Sequence, residues 1–248
     1  MINKSQNEIM KKWKAFENPL VTIRCLAYNQ EEYIGNTIDS FLNQITDFPF
    51  EIIIHEDAST DNTAKIIKRY EEKFPLIVKP IYEKENQYSK ETGTIAKIMD
   101  PKMKGKYIAL CEGDDYWIDT NKLQMQVDFL ENNEDYVMSY TDFNIYYERK
   151  KQFEYNLFKS QPNNYPKEVT LQEWILHPGY MAPMTWLIRK SVWDTIEREN
   201  CQDGTYVMYA HFLRQGKLKC HVDRTTAVYR VLPESAAHTS NLKKHYER

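Results

Sequence analysis

An α/β fold, with a mainly parallel sheet flanked by helices, is predicted by three observations along the 248-residue chain. From Leu20 onward, short β-rich apolar runs alternate with amphipathic ones, the pattern of strands covered by crossover helices. Turn residues bound each run. The residues just after the runs are unusually polar, and in an open α/β sheet those positions share one rim. A hydrophobic fraction of 42% supports a core large enough for one α/β domain.

The first strand is expected over Leu20–Ala27, followed by strands over Phe50–His55, Ile77–Tyr82 and Lys106–Cys111. Amphipathic spacing places helices between them, over Glu31–Asn43, Asn62–Lys73, Thr92–Met99 and Asn121–Leu130, with Ser59 or Thr60 capping the second. Tyr136 to Tyr147 reads as a further strand. The stretch Glu148 to Lys167 is polar, aromatic and weakly patterned, with two prolines and the pair Asn163-Asn164, and is expected to be a surface loop. After it come a helix near Leu171–Leu176, an apolar run Met184–Ile188, a helix from Ser191, another over Thr205–Gln215, and strands within Lys217–Arg230. Residues 1–18 form a helical extension in which Ile9, Met10, Trp13 and Phe16 recur among Lys4, Lys11, Lys12 and Lys14. That spacing fits a helix packed on its own domain, on a second copy in a homo-oligomer, or on a membrane surface. Residues 19–248 are expected to form a single domain.

The net charge of −3 and pI near 6.1 argue against a nucleic-acid polyanion as partner, and no block of lysine or arginine stands out. Cys25, Cys111, Cys201 and Cys220 lie far apart with no C-x-x-C pair, as reduced thiols in an intracellular protein do. Met1 to Phe16 has no apolar h-region, and no apolar segment reaches the roughly 18 residues of a bilayer span. The expectation is a cytoplasmic protein, at most peripheral at the inner face of the plasma membrane. The seven glycines form neither G-x-G-x-x-G nor G-x-x-x-x-G-K-[ST], so phosphates would have to be held without either loop.

The most informative stretch is Cys111-Glu-Gly-Asp-Asp-Tyr-Trp117, which sets three carboxylates and two aromatics directly after an apolar run. Alternation along an extended chain puts Glu112 and Asp114 on one side. Gly113 between them removes a side chain that would keep a ligand from the backbone. Such a cluster repels itself, and a hard cation, Mg2+ or Mn2+, relieves the repulsion while sharing its shell with substrate phosphates and water. The alternative is an acidic turn capping the helix at Asn121–Leu130. Three more polar clusters end the other strands: Tyr28-Asn29-Gln30-Glu31, Glu56 to Asp61, and Glu85-Asn86-Gln87.

In these motifs the chain resembles the family 2 glycosyltransferases, nucleotide-sugar enzymes of the GT-A fold with its Rossmann-like sheet, across roughly residues 20 to 235. Val21–Asn29 with Glu31-Glu-Tyr-Ile34 resembles the opening strand and Y-N-x-x-x-Y-[IL] turn, and Glu51–Thr63 (EIIIHEDASTDNT) resembles the segment E-[IL]-[IV]-[IV]-x-[DE]-D-x-S-x-D-x-T. Glu112 to Trp117 resembles the E-G-D-D-Y-W signature of a bacterial subgroup, Met184 to Trp193 the apolar segment ending in [IL]-[IL]-R-[KR]-x-x-[FW], and Val228-Tyr-Arg-Val231 the closing V-Y-R segment. Ser235 and His238 match an S-x-x-H tail.

The resemblance implies a nucleotide-sugar and metal half over 19–117 and an acceptor half over 118–248. Ala27, Asn29, Glu31, Asp57, Asn86, Glu112, Gly113 and Asp114 would line the nucleotide-sugar site, with Asp57 accepting from the uracil ring. A carboxylate at a strand end is a good acceptor for a base N–H, and its other reading is a cap for Asn62–Lys73. Ser59, Thr60 and Asp61 are better placed to cap, which leaves Asp57 free. Asp114, Asp115 and His238 would hold the divalent cation, and Ser235, His238 or Arg230 would touch the diphosphate or metal. Tyr116, Trp117, Thr185 and Trp186 would contact the acceptor, with the two aromatics alternatively core anchors, and Asp203 would be the general base. The usual D-x-D stands here as Glu112-Gly-Asp114, which leaves Glu112 for the ribose or a water.

The implied activity is an inverting, metal-dependent hexosyl transfer. A sugar would pass from a nucleotide diphosphate, UDP, to a hydroxyl of a glycan, lipid-linked or protein-linked acceptor in bacterial surface glycan or glycoprotein synthesis. Two rivals remain. A sugar nucleotidyltransferase would carry a Gly- and Arg-rich loop near Ala27–Glu31, which the chain lacks, and a non-catalytic domain that binds glycan or protein partners would not need Asp57, Asp114 and Asp203 together.

Overall fold

The computed structural model describes residues 2–15, 17–90, 93–161, 168–176, 182–197 and 204–233. Helix α1 (Gln6–Met10) opens with a capping box, Ser5 Oγ accepting from the Glu8 N–H while the Glu8 carboxylate accepts from the Ser5 N–H. There follow β1 (Val21–Ala27), α2 (Ile34–Leu42), β2 (Phe50–Glu56), α3 (Thr63–Lys73), β3 (Val78–Tyr82), α4 (Thr94–Met99) running into a 3-10 turn at Asp100–Lys102, and β4 (Tyr107–Leu110). Next come β5 (Tyr116–Trp117), α5 (Lys122–Glu131), β6 (Tyr136–Tyr147), β7 (Gln152–Glu154), α6 (Leu157–Ser160), β8 (Glu168–Val169) and α7 (Leu171–Leu176). A 3-10 turn at Pro183–Thr185 then leads to β9 (Leu187–Arg189), α8 (Lys190–Trp193), α9 (Gly204–Gln215) and β10 (Lys217–Val231).

The strands join one sheet in the order β3-β2-β1-β4-β9-β6-β10-β5, with β7 on β6 and β8 on β10. Strands β1 to β4 are mutually parallel, as the strand–helix alternation predicts. All seven residues of β2 are buried, the mark of a parallel strand covered on both faces. Burial there includes Glu51, whose oxygens accept from the Thr22 hydroxyl at 2.8 Å, the Lys104 N–H at 2.8 Å and Lys79 Nζ at 2.8 Å. A buried carboxylate is tolerated when it is paired and fully hydrogen-bonded in this way.

Beyond β4 the sheet is mixed. The apolar run at Met184–Ile188 becomes a 3-10 turn and the three-residue β9, antiparallel to both β4 and β6. The strands expected within Lys217–Arg230 are one long β10, parallel to β6, with register shifts around His221, Thr225 and Ala227. The expected loop at 148–167 contains β7 and α6, the latter started by Asp142, whose carboxylate accepts from the Phe158 and Lys159 N–H groups. Helix α2 begins at Ile34 rather than Glu31, because residues 29–31 bond to the turn after β2 (below) and Asn29 takes a left-handed φ of 50°.

The N-terminal segment packs on its own domain. Ile9 is buried, the Trp13 ring meets Phe50 edge-on at 5.2 Å, and the Trp13 indole donates to Thr46 Oγ1 at 3.0 Å. Lys73 Nζ donates to the Ile2 carbonyl and the Leu76 N–H to Gln6 Oε1, so the segment lies against the end of α3 and, through Trp13, the start of β2. Of the three expected partners for this apolar face, the structure supplies the chain itself. Phe16 lies outside the described residues. Among the described residues no helix is long and apolar enough to cross a membrane.

Gly105 closes the entry to β4 against β1. A Cβ there would stand 2.3 Å from the Thr22 backbone nitrogen and 2.7 Å from the Tyr107 carbonyl oxygen, atoms that cannot move without breaking the sheet. Gly105→Ala is therefore expected to destabilise the protein by about 1–3 kcal/mol, read as a lower urea midpoint at unchanged slope, and a midpoint equal to the parent's would contradict this packing.

Candidate active site

Strands β2 and β3 lie on one side of β1 and β4 on the other. The chain order therefore reverses between β1 and β4, and it is at such a switch point, beyond the carboxyl ends of the strands, that an open α/β sheet leaves a crevice. The polar clusters named above meet there.

The turns after β1 and β2 are interlocked. The N–H groups of Asn29, Gln30 and Glu31 donate to Ser59 Oγ (2.9 Å), Thr63 Oγ1 (2.7 Å) and Asp61 Oδ2 (3.0 Å). In return Asn29 Oδ1 accepts from the Thr60 N–H at 2.8 Å, and Glu31 Oε2 from the Asn62 N–H at 2.8 Å and Nδ2 at 2.6 Å. Asn29 and Glu31, expected to line a nucleoside pocket, thus use side-chain oxygens to join two turns. Ser59 and Thr60 serve this junction rather than the cap of α3, where Asp61 Oδ1 takes the Thr63 N–H instead. Ala27 at the end of β1 is buried and accepts from the Asp57 N–H through its carbonyl.

Asp57 is not the free acceptor that the sequence led us to expect. Its two oxygens accept from the backbone N–H groups of Gln87 at 2.6 Å and Tyr88 at 3.0 Å, and the residue is 3% exposed. It organises the turn after β3, where Asn86 Nδ2 approaches the Asp57 carbonyl at 3.5 Å and Asn86 Oδ1 accepts from the Ser89 N–H. Tyr88 is left 67% exposed at the rim.

The acidic turn after β4 is held from three sides. The Thr37 hydroxyl of α2 bonds to the carbonyls of Gly113 at 2.8 Å and Asp115 at 2.6 Å, and the Gly113 N–H donates to the Leu26 carbonyl at 2.8 Å. Asp115 Oδ1 accepts from the Arg230 N–H at 2.8 Å while Arg230 Nε donates to the Asp114 carbonyl at 2.8 Å. Strand β5 separates this turn from α5, whose first turn is bonded by Asp119 instead, so the cluster does not cap that helix. A Cβ on Gly113 would stand 2.3 Å from Gln30 Oε1 and 3.0 Å from the Leu26 carbonyl. The glycine thus makes room for the protein's own atoms rather than for a ligand.

Burial raises the Glu112 carboxyl to about 7, helped by the Asp114 charge and opposed by Arg24. Asp114 is raised by burial too, against hydrogen bonds from its own backbone and Gln30 and the charge of Arg230. Asp115 is pushed well up by burial and by Asp114, against the Arg230 N–H. Its inward bond to β10 makes Asp115 a brace rather than the metal ligand expected from the sequence. Arg230 is itself flanked by rings, its guanidinium lying 4.8 Å from Tyr33 and 5.0 Å from Tyr116.

Among the described residues, no three His, Cys, Asp or Glu side chains are grouped so as to hold a metal alone. That donor set does not fit a closed site such as structural zinc. It is compatible with Mg2+ or Mn2+ sharing its shell with substrate phosphates and water, for which Asp114 and Glu112 would be the available carboxylates. Gln30 Oε1, buried and without a hydrogen-bond partner among the described residues, adds an unpaired oxygen near Asp114.

Three of the four expected acceptor residues are core. The Trp117 ring lies 4.7 Å from Phe41 and 4.4 Å from Lys122 Nζ, and its indole donates to the Met184 carbonyl at 2.8 Å. Thr185 is fully buried, bonded to the Ala182 carbonyl and through its own carbonyl to Gln126. Trp186 is 0% exposed beside Tyr209 and Phe212. No sugar can stack on rings enclosed in this way. Tyr116 alone stands at the rim. Asp203, Ser235 and His238 lie outside the described residues.

Sequence reasoning missed Arg24, Thr37 and His55, and named Gln30 only as part of the polar cluster after β1. Arg24 and His55 carried a signal, since each is an ionisable residue within a largely apolar stretch that becomes a strand. His55 is fully buried 3.4 Å from Glu83, and burial holds its imidazole below its ordinary value. Thr37 carried none, because its hydroxyl matters only through carbonyls more than 70 positions away.

The family model described as "Glycosyl transferase family 2" matches residues 25–196. The chain is 40% identical over 130 residues to an uncharacterized protein of Mycobacterium bovis, Mb1547, covering 52% of this chain and 36% of that one. It is 36% identical over 126 residues to the UDP-Glc:alpha-D-GlcNAc-diphosphoundecaprenol beta-1,3-glucosyltransferase WfaP of Escherichia coli, covering 51% and 47% respectively. This chain therefore matches less than half of either relative's length. Among solved structures, Staphylococcus aureus TarS 1-349 in complex with UDP superposes with a TM-score of 0.63 at 19% identity, over 92% of this chain and 62% of that one. The mannosyltransferase PcManGT of Pyrobaculum calidifontis, in complex with GDP-Man and Mn2+, superposes with a TM-score of 0.63 at 16% identity, over 94% and 64%. These likenesses show the GT-A fold.

The Glu112 carboxyl binds protons more tightly when folded, about 7 against an ordinary 4.5. The folded state therefore holds more protons across that window, and stability falls as pH rises from 4.5 to 7. Glu112→Gln should abolish a loss on the order of 1–3 kcal/mol, seen as a flatter urea-midpoint profile between these pH values, and parallel profiles for parent and variant would count against it.

Proposed function

The chain belongs to glycosyl transferase family 2, and on that premise we propose that it transfers a sugar from a nucleotide-diphosphate donor to a hydroxyl of a glycan, lipid-linked or protein-linked acceptor in bacterial surface glycan or glycoprotein synthesis. One observation carries the reading. At the switch point between β1 and β4 a carboxylate-rich turn is held rigid by Thr37 and Arg230, beside the Asp57-organised turn after β3. A negatively charged crevice repels a free diphosphate and accepts one that arrives with a divalent cation.

UDP is the proposed nucleotide. Support comes from the UDP in the TarS complex and the UDP-Glc in the name of WfaP, while the GDP-Man of PcManGT shows that the same fold can serve another base. Asp114 is the proposed metal ligand, and the cation, when bound, supplies positive charge to the diphosphate leaving group. Asp57 shapes the base end of the pocket through the turn it holds, Glu112 faces the ribose or a water, and Arg230 is poised by the acid turn. Asp203, directly before α9, is the proposed general base. It takes the proton of the acceptor hydroxyl as that oxygen attacks opposite the leaving group, so the configuration at the sugar carbon inverts. The buried acid turn is harder to reconcile with a non-catalytic binding domain, for which three burial-strained carboxyls would be a cost without a return.

A thermal-shift series tests the donor reading. UDP and Mn2+ together should raise the melting temperature more than the sum of each alone, and Asp114→Asn should remove most of that excess. UDP stabilisation indifferent to a chelator would remove the metal from the reading, and a larger response to GDP than to UDP would change the donor.

Asp203→Asn keeps the shape of the side chain and cannot take a proton. Its kcat should fall by roughly 10²–10⁴-fold with UDP affinity nearly unchanged, and an α-linked donor should give a β-linked product. Normal turnover in this variant, or a product that keeps the donor's configuration, would move the base elsewhere, with Glu197 or Glu199 the next residue to test.

A further inference from the structure

Arg230 of β10, Tyr146 of β6 and Phe153 of β7 are register partners on three neighbouring strands, so they form one row across the sheet. The Arg230 guanidinium lies 5.9 Å from the Tyr146 ring, Tyr146 lies 4.5 Å from Phe153, and Phe153 stacks on Tyr155 at 5.4 Å with 15° between their planes. At its inner end the row touches the acid turn through the bond from Arg230 Nε to the Asp114 carbonyl. At its outer end Phe153, on a strand with no buried residue, is 41% exposed, and Tyr155, just beyond that strand, is 60% exposed.

Aromatics that serve packing are buried, as Phe143 and Phe158 are nearby. An aromatic row whose outer, stacked pair is left in water beside a binding crevice instead marks a contact surface. Its dimensions suit a flat ligand with an apolar face and a polar edge, and a pyranose ring is such a ligand: one face presents C–H bonds and the rim presents hydroxyls. Glu148 sits beside the inner end, bonded to Lys151 and 3.5 Å from Arg230 Nη1, where its carboxylate can accept from those hydroxyls.

We propose that Tyr146, Phe153 and Tyr155 form the acceptor subsite, on which the sugar rings of a glycan acceptor stack so that a hydroxyl is presented toward Asp114. This rests on the reading of the chain as a glycosyltransferase. It replaces Trp117, Thr185 and Trp186, which the core encloses, by residues that water reaches.

The test is saturation-transfer NMR with named probes: methyl β-D-glucopyranoside, methyl β-D-galactopyranoside, the methyl β-glycoside of N-acetylglucosamine, lactose and chitobiose, each with UDP and Mn2+ present. At least one probe should receive saturation on the C–H protons of a single ring face. Its signal should fall roughly tenfold in F153A/Y155A and return in F153W/Y155W, with the UDP-induced melting shift unchanged in both. The proposal is overturned if the parent binds no probe, or if the double alanine variant binds as the parent does. Vesicle binding that depends on Phe153 and Tyr155, without transfer to any sugar, would give the row to lipid and overturn it too. A parent that ignores UDP and Mn2+ while its sugar contacts persist would sink the donor reading and leave the aromatic subsite standing.

Discussion

A single buried carboxylate sets the geometry on which the site depends. Asp115 directs its charge inward to the Arg230 N–H, and Arg230 returns a bond to the carbonyl next door, so the turn after β4 is tied to the last strand across 115 positions of chain. With Asp115 committed to the interior, Asp114 is the member of the pair left partly exposed beside the crevice. The same pair of bonds fixes the guanidinium among Tyr33, Tyr116 and Tyr146. Charge, cation and rings are ordered by one reciprocal contact. A carboxylate held without a solvent shell pays for its burial only if its hydrogen bonds are complete, which makes this contact intolerant of changes in the position of β10.

The parallel half was legible because it is governed by local rules. Apolar runs of strand length bounded by turn residues can hardly be anything else when amphipathic helices separate them, and β1 to β4 fall within a residue or two of where those runs lie. The mixed half depends on partners far away. Nothing in Leu187-Ile-Arg189 says that it will run antiparallel between β4 and β6, and the length of β10 follows from its pairing with β6 rather than from its own pattern. Burial of Trp117 and Trp186 was likewise unreadable, since an aromatic after an acidic turn looks the same whether it meets a sugar or Phe41.

At the site the division is similar. Residue types at strand ends announced a polar crevice, and the motifs pointed to its class. What the sequence hid is how much of that polarity is spent internally. Asn29, Glu31 and Asp57 each satisfy backbone donors of a neighbouring turn, a role invisible without the fold because each partner lies about thirty residues away. Buried Lys122 extends the theme. Its ammonium sits over the Trp117 ring, bonds to Gln126, and is drawn down to about 7 by burial. Only the structure shows that this lysine belongs to the interior.

The short strand β9 has a mechanical consequence. By bonding to β4 on one side and β6 on the other, it makes the sheet continuous from the carboxylate crevice to the aromatic row. A crevice and a row joined through an unbroken ladder cannot swing apart as rigid bodies without rupturing backbone hydrogen bonds, unlike units joined by a linker. Any opening and shutting during a catalytic cycle must then be carried by the turns at the strand ends, while the distance between crevice and row stays fixed like a ruler built into the frame.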